Sequence, residues 1–190
     1  VGLDASITAR GVGTTAGGDA GLRNGLSVIP VRFGGKKSPA LPKWEPFQDR
    51  PPTDAELAEW FAPGRPVGVA VVCGPVSDNL AVLDFEAGWV WERFAERVAG
   101  TPVGRLVAAS PQVETPSGGR HVYCRLRDGS AKGTVLARRD HKTLLAEVRG
   151  EGNYVLAPGC PPDCHTARKP YRMLNDGWLA APPEAATRAA

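Results

Sequence analysis

Apolar residues in this chain fall into short runs with two periodicities. Leu26 to Arg32 is short and β-branched, the composition of a strand. Pro39 to Pro52 is punctuated by prolines and reads as loop, and Thr53-x-x-Glu56 forms a capping box ahead of Leu57, Trp60 and Phe61, predicting a helix. Val67 to Cys73 and Leu80 to Phe85 are nearly continuous apolar runs, expected to be central strands buried on both faces and joined by a tight loop over Gly74 to Asn79. Trp89, Val90, Phe94, Ala95 and Val98 recur at helical spacing, which predicts a second helix with its aromatic residues in the core. Leu106 to Ala109 and Gln112 to Thr115 read as short strands around Pro111. From Arg120 to Leu126 strict alternation sets Val122, Cys124 and Leu126 against His121, Tyr123 and Arg125, which would place the imidazole on a polar sheet face. The same rule puts Glu147 and Arg149 on one face of a strand from Leu144 to Arg149. Beyond Pro158-Gly159 come a cysteine-bearing loop and an edge strand over Tyr171 to Leu174.

This pattern, rich in strands and without regular βαβ repetition, predicts an α+β fold in which helices pack on one face of a mixed or mainly antiparallel sheet and leave the other face for function. The 190 residues divide into a Gly/Ala/Thr-rich lead-in (1–23), one domain (24–179) and an Ala/Pro tail (180–190) that reads as linker. The glycines of the lead-in lack the Gly-Lys-Ser/Thr ending of a P-loop. A net charge of +3 permits a polyanionic partner without requiring one. No apolar stretch reaches the ~18 residues of a membrane span, and no cleavable leader is visible, so a cytoplasmic protein is expected. The chain begins at Val1 rather than Met, as an excised piece of something longer would.

Three separated segments carry the chemistry. In Asp84-x-Glu86 the period of two points both carboxylates the same way, about 6–7 Å apart along a strand, close enough to converge on metal ions. Glu147 adds a third carboxylate, and hard oxygen donors suit Mg²⁺ or Mn²⁺. Ser117-Gly118-Gly119-Arg120-His121 offers small residues that let backbone N–H groups approach phosphate, then a cation and an imidazole. Read alone, the first is an ordinary strand end and the last a glycine-rich turn. Arg149 would either neutralise phosphate or form a surface salt bridge. Lys36, Lys37, Lys43 and Trp44 would track a template backbone and stack a base, against the plainer reading of a solvated loop with one packed Trp. Cys160, Cys164 and His165 are one ligand short of a structural Zn²⁺ site, which leaves zinc as the lesser alternative to free thiols.

Taken together, the acidic pair after an apolar run, TPSGGRH, and an acidic residue opening the run EVRGEGNYVLAPG resemble the bifunctional primase–polymerase domain of the archaeo-eukaryotic primase superfamily. Gly25 to Val31 with Gly34-Gly35-Lys36-Lys37 and Pro42-Lys43-Trp44 is similar to that domain's opening strand and basic loop, and the similarity covers roughly residues 24–175. The resemblance implies a DNA primase/polymerase that joins nucleoside triphosphates to a 3′-hydroxyl on a single-stranded DNA template, in replication of the plasmid, phage or mobile-element type. It further implies two Mg²⁺ or Mn²⁺ ions on Asp84, Glu86 and Glu147, and His121 on the triphosphate, with Ser117, Gly118, Arg120 and Arg149 as further nucleotide contacts. A primer strand, NTP or dNTP, and often a helicase domain in a longer protein go with it. Glu147 departs from the family's more frequent Asp; the longer side chain keeps the charge or marks weakened catalysis. Two other readings use the same residues: a metal-dependent nuclease, and a catalytically silent nucleic-acid-binding module of a replication initiator.

Overall fold

The computed structural model describes residues 26–127, 129–175 and 184–185. The chain runs β1 (Val28–Arg32), α1 (Asp54–Trp60), β2 (Val67–Val72), β3 (Leu80–Phe85), α2 (Gly88–Val98), α3 (Pro102–Ala109), β4 (Gln112–Glu114), β5 (Arg120–Leu126), β6 (Thr134–Arg138), β7 (Leu144–Arg149), β8 (Tyr154–Leu156), β9 (Arg172–Met173) and β10 (Glu184–Ala185). Two sheets result. A small one has the order β1-β2-β8; a larger one runs β6-β7-β3-β5-β4-β9, and β10 pairs with β5. All pairings are antiparallel except that of β10. The fold is therefore α+β, with one antiparallel and one mixed sheet, in line with the pattern.

Alternation along β3, β5 and β7 gives the larger sheet two distinct faces. One face presents Phe85, Val122, Cys124 and Ala146 to α2 and α3, where Val90, Trp91 and Phe94 close over them. The other presents Val82, Val113 and Tyr123 to the small sheet and α1, which share a larger core with Val28, Val71, Trp60 and Val155. Helices thus cover both sides of the molecule: α2 and α3 sit on the outer face of the larger sheet, whereas α1 packs on the small sheet. This corrects the expectation of a single helical face.

Other differences have local causes. The runs Val67–Val72 and Leu80–Phe85 are buried central strands, as expected, each in the middle of a different sheet. Gly74 at φ +96°, a 3₁₀ turn at Pro75–Ser77, and Asp78 and Asn79 at φ +57° and +55° re-aim the chain between them. Leu106 to Ala109 is the end of α3, whose start is set by Thr101 and Pro102: the Thr101 hydroxyl accepts from the Gly104 amide at 3.1 Å. A short apolar run with no visible period leaves helix and strand indistinguishable there. β6 is a further strand, at the edge of the larger sheet with Val135 and Leu136 exposed, so no buried face marks it in the sequence. On α2, Trp89 is half exposed rather than in the core. The lead-in falls outside the described residues, as does the tail apart from β10. Among the described residues no helix is long and apolar enough to cross a membrane.

The capping box forms as predicted. The Thr53 hydroxyl accepts from the Glu56 amide, the Glu56 carboxylate accepts from the Thr53 amide at 2.7 Å, and Arg50 grips the same carboxylate with two nitrogens at 2.8 and 2.7 Å. The hydrogen bond from Arg50 is the main cause that lowers the Glu56 pKa from 4.5 to about 2. A depressed carboxylate stabilises the fold above its unfolded value, so this contribution is full above pH 4.5 and fades as pH falls towards 2. Because the pair is solvent-screened, Glu56→Gln is expected to cost about 1 kcal/mol at neutral pH. Urea melts of both proteins at pH 7 and near pH 2.5 check this: the gap between them should narrow in acid.

Candidate active site

The three chemical segments of the sequence meet on adjacent strands. β3 lies between β5 and β7, and Asp84 is paired in register with His121 on one side and with Glu147 on the other. In-register neighbours project from the same face, so imidazole and both carboxylates form one row across three strands. Glu86, just past the end of β3, shares the parity of Asp84. One oxygen from each of Asp84, Glu86 and Glu147 lies within 4.8 Å of the others. This row occupies the inner face of the larger sheet, beyond the edge of the apolar core formed with the small sheet.

His121 is not on an open polar surface. It is buried, with Nε2 3.4 Å from Asp84 Oδ1, Nδ1 3.5 Å from the Tyr123 hydroxyl, and the Tyr171 ring 5.7 Å away. The polar parity of β5 faces the interior because the small sheet covers it. Arg149 Nε donates to Asp84 Oδ2 at 3.3 Å, and Nη2 pairs with Glu147 Oε1. These contacts divide the acids electrostatically. Burial pushes the Asp84 carboxyl up, but the hydrogen bond and charge of His121, then Arg149 and Lys37, outweigh it and hold the pKa below the ordinary value. Glu86 and Glu147 move the other way, raised chiefly by burial and next by Asp84 for Glu86, while for Glu147 the Arg149 charge opposes burial. Crowded carboxylates raised in this way favour a cation arriving among them.

A cleft of about 270 Å³ opens in front of the row, lined by Lys36, Lys37, Asp84, His121, Arg149 and Tyr171 among others. Lys36 and Lys37 come from the loop after β1, where Lys37 adopts φ +54° and its carbonyl accepts from the Tyr154 hydroxyl at 2.9 Å. Of the three acids Asp84 reaches that lining, so the cleft runs from the edge of the acidic cluster to the cationic Lys36 and Lys37, a charge pattern suited to a metal-bound polyphosphate. A family model described as bifunctional DNA primase/polymerase, N-terminal, matches residues 20–186. The chain belongs to that family. A search of curated proteins finds no match.

Other predicted contacts of this primase–polymerase domain are not all brought to the acids. Arg120 alternates with His121 and so lies on the opposite sheet face, its guanidinium 5.0 Å from the Trp91 ring and its Nη1 donating to Gln112 Oε1 at 3.1 Å. That corrects its placement in the nucleotide site. Ser117 and Gly118 are exposed at the tip of a turn closed by the Gly118 amide on the Thr115 carbonyl, outside the lining of the acid-bearing cleft. The turn nevertheless abuts the acids through its next residue: Gly119 lies directly against the backbone of Phe85 and Glu86. Trp44 packs edge-on to Tyr154 at 5.0 Å rather than standing free. Tyr171 and Asn153 join the cleft without having been singled out in the sequence; neither sits in an alternating strand that would have pointed to it.

The sulfurs of Cys160 and Cys164 meet over Gly68, both buried, and all four cysteines are free. His165 turns away: its Nδ1 accepts from the Ala167 amide at 3.0 Å, and its ring sits edge-on to Tyr171. Two thiols and a diverted imidazole do not make a zinc ligand set, and the close sulfur–glycine contact supplies a packing role instead.

Proposed function

We propose that this domain catalyses template-directed nucleotidyl transfer, in which a 3′-hydroxyl attacks the α-phosphate of a nucleoside triphosphate and pyrophosphate leaves. The observation that carries the reading is the convergence of three carboxylates, from β3, the residue just past it and β7, beside a cation-lined cleft. All donors are hard oxygens, which fits two Mg²⁺ or Mn²⁺ ions on Asp84, Glu86 and Glu147. Bound there, such ions supply an acidified 3′-hydroxyl and neutralisation of charge on the departing pyrophosphate. Lys36 and Lys37 would hold the triphosphate tail at the opposite end of the cleft. His121, fixed by Tyr123 and Tyr171, would offer Nε2 to a triphosphate oxygen from the floor. Glu147 keeps the charge of the more usual Asp, and its in-register pairing with Asp84 leaves the longer side chain still reaching the cluster. A single-stranded DNA template would choose the incoming base by pairing.

The test is a labelled primer on a DNA template with Mg²⁺ or Mn²⁺, with and without triphosphates, and a parallel reaction lacking primer. Stepwise lengthening that requires triphosphates is expected. Shortening of the strand without triphosphates would identify a nuclease, and neither change a silent binding module.

A further inference from the structure

Arg149 touches the acids in a way that metal binding must disturb. Its guanidinium bridges Asp84 Oδ2 and Glu147 Oε1, and its Nη1 donates to Asn153 Oδ1 at 3.5 Å. Two of the three carboxylates that would receive divalent ions are therefore partly satisfied by one residue of β7. The arginine is also the more accessible member of the group: its side chain is 32% exposed, against 12% for Asp84 and 13% for Glu147. It borders the cleft that Lys36, Lys37 and His121 line, so release from the acids leaves it facing the cationic end. A planar fork suited to carboxylate is equally suited to phosphate.

We infer that Arg149 competes with divalent ions for Asp84 and Glu147, and that its displacement by metal turns the guanidinium to the triphosphate, so that metal and nucleotide strengthen each other's binding. This rests on the metal-site reading above. The single charge of arginine incompletely balances the clustered acids, so a divalent ion gains by replacing it. The freed guanidinium then gains from the polyanionic nucleotide. Linkage requires the effect to be reciprocal.

The test is Mn²⁺ titration of the 190-residue protein, following free Mn²⁺ by electron paramagnetic resonance, with and without a triphosphate whose α,β-bridge is an imido group. R149Q is expected to bind Mn²⁺ alone about five- to tenfold more tightly than wild type, and to lose most of the tightening that the nucleotide produces. An arginine that only contacts nucleotide would leave binding of Mn²⁺ alone unchanged, and one that only supports the fold would weaken it; either result overturns the inference. D84N separates the two layers. If it retains wild-type Mn²⁺ affinity, the metal-site reading fails and this one with it; if it loses Mn²⁺ while R149Q gains nothing, the competition alone fails. Circular dichroism checks folding. Should R149Q not fold, R149K decides, because lysine replaces the planar fork that spans both acids with one compact, shorter-reaching ammonium: Mn²⁺ affinity above wild type supports the inference, and affinity at or below it overturns it.

Discussion

Replacing Asp84 and Glu86 together by alanine is expected to abolish strand synthesis while leaving the domain folded. The proposed ions contribute several kcal/mol to the transition state, so the loss should reach at least about a thousandfold. Stability should change far less. Glu86 is raised by burial and by Asp84, so its removal relieves repulsion. Asp84 does give up its contacts with His121 and Arg149, but Arg149 keeps Glu147 and Asn153, and His121 keeps Tyr123. The net cost should be no more than about 2 kcal/mol. Primer extension measured beside a thermal melt checks both halves. Synthesis that survives in a folded double variant rejects the assignment.

Gly119→Ala is expected to damage both the fold and the site, although it adds a single methyl group. A Cβ there would stand 2.1 Å from the Phe85 carbonyl oxygen and 2.9 Å from the Glu86 carbonyl carbon. Phe85 belongs to a strand paired on each side and Glu86 is held by its amide on the Leu145 carbonyl at 3.0 Å, so the turn has to lift instead. Lifting breaks the 3.0 Å bond from the Gly119 amide to the Thr115 hydroxyl and displaces the chain where Glu86 projects. A cost of about 2–3 kcal/mol follows, with weakened Mn²⁺ binding alongside. Gly118→Ala is the control: at φ +83° it strains the backbone but meets nothing within 4 Å, so about 1 kcal/mol is expected and Mn²⁺ affinity should hold. Equal melting temperatures for Gly119→Ala and wild type would show that the turn is not pinned to β3.

The parity of the acids was legible in the sequence, because a period of two assigns Asp84 with Glu86, and Glu147 with Arg149, without any knowledge of neighbours. What alternation cannot supply is which strands are adjacent. The order β6-β7-β3-β5 is set by long-range packing, and it alone makes His121, Asp84 and Glu147 a row. Alternation also contained the correction to Arg120: the rule that sends His121 inward sends its neighbour outward. Tyr171, Asn153 and the two lysines reach the cleft from loops or a short edge, where no period exists to read. The burial of His121 escaped the sequence for a related reason, since a polar-looking face turns interior only when a second sheet lies over it.

Because the row is written across three strands, its geometry depends on hydrogen-bond alignment and not on the length of the connections. Extra residues inserted in the turn between β6 and β7 would lengthen a surface excursion and leave the chemistry standing. A one-residue slippage of β7 along β3 would instead turn Glu147 and Arg149 out towards α2 and bring Ala146 and Val148 into their place, disarming the centre with no side chain changed.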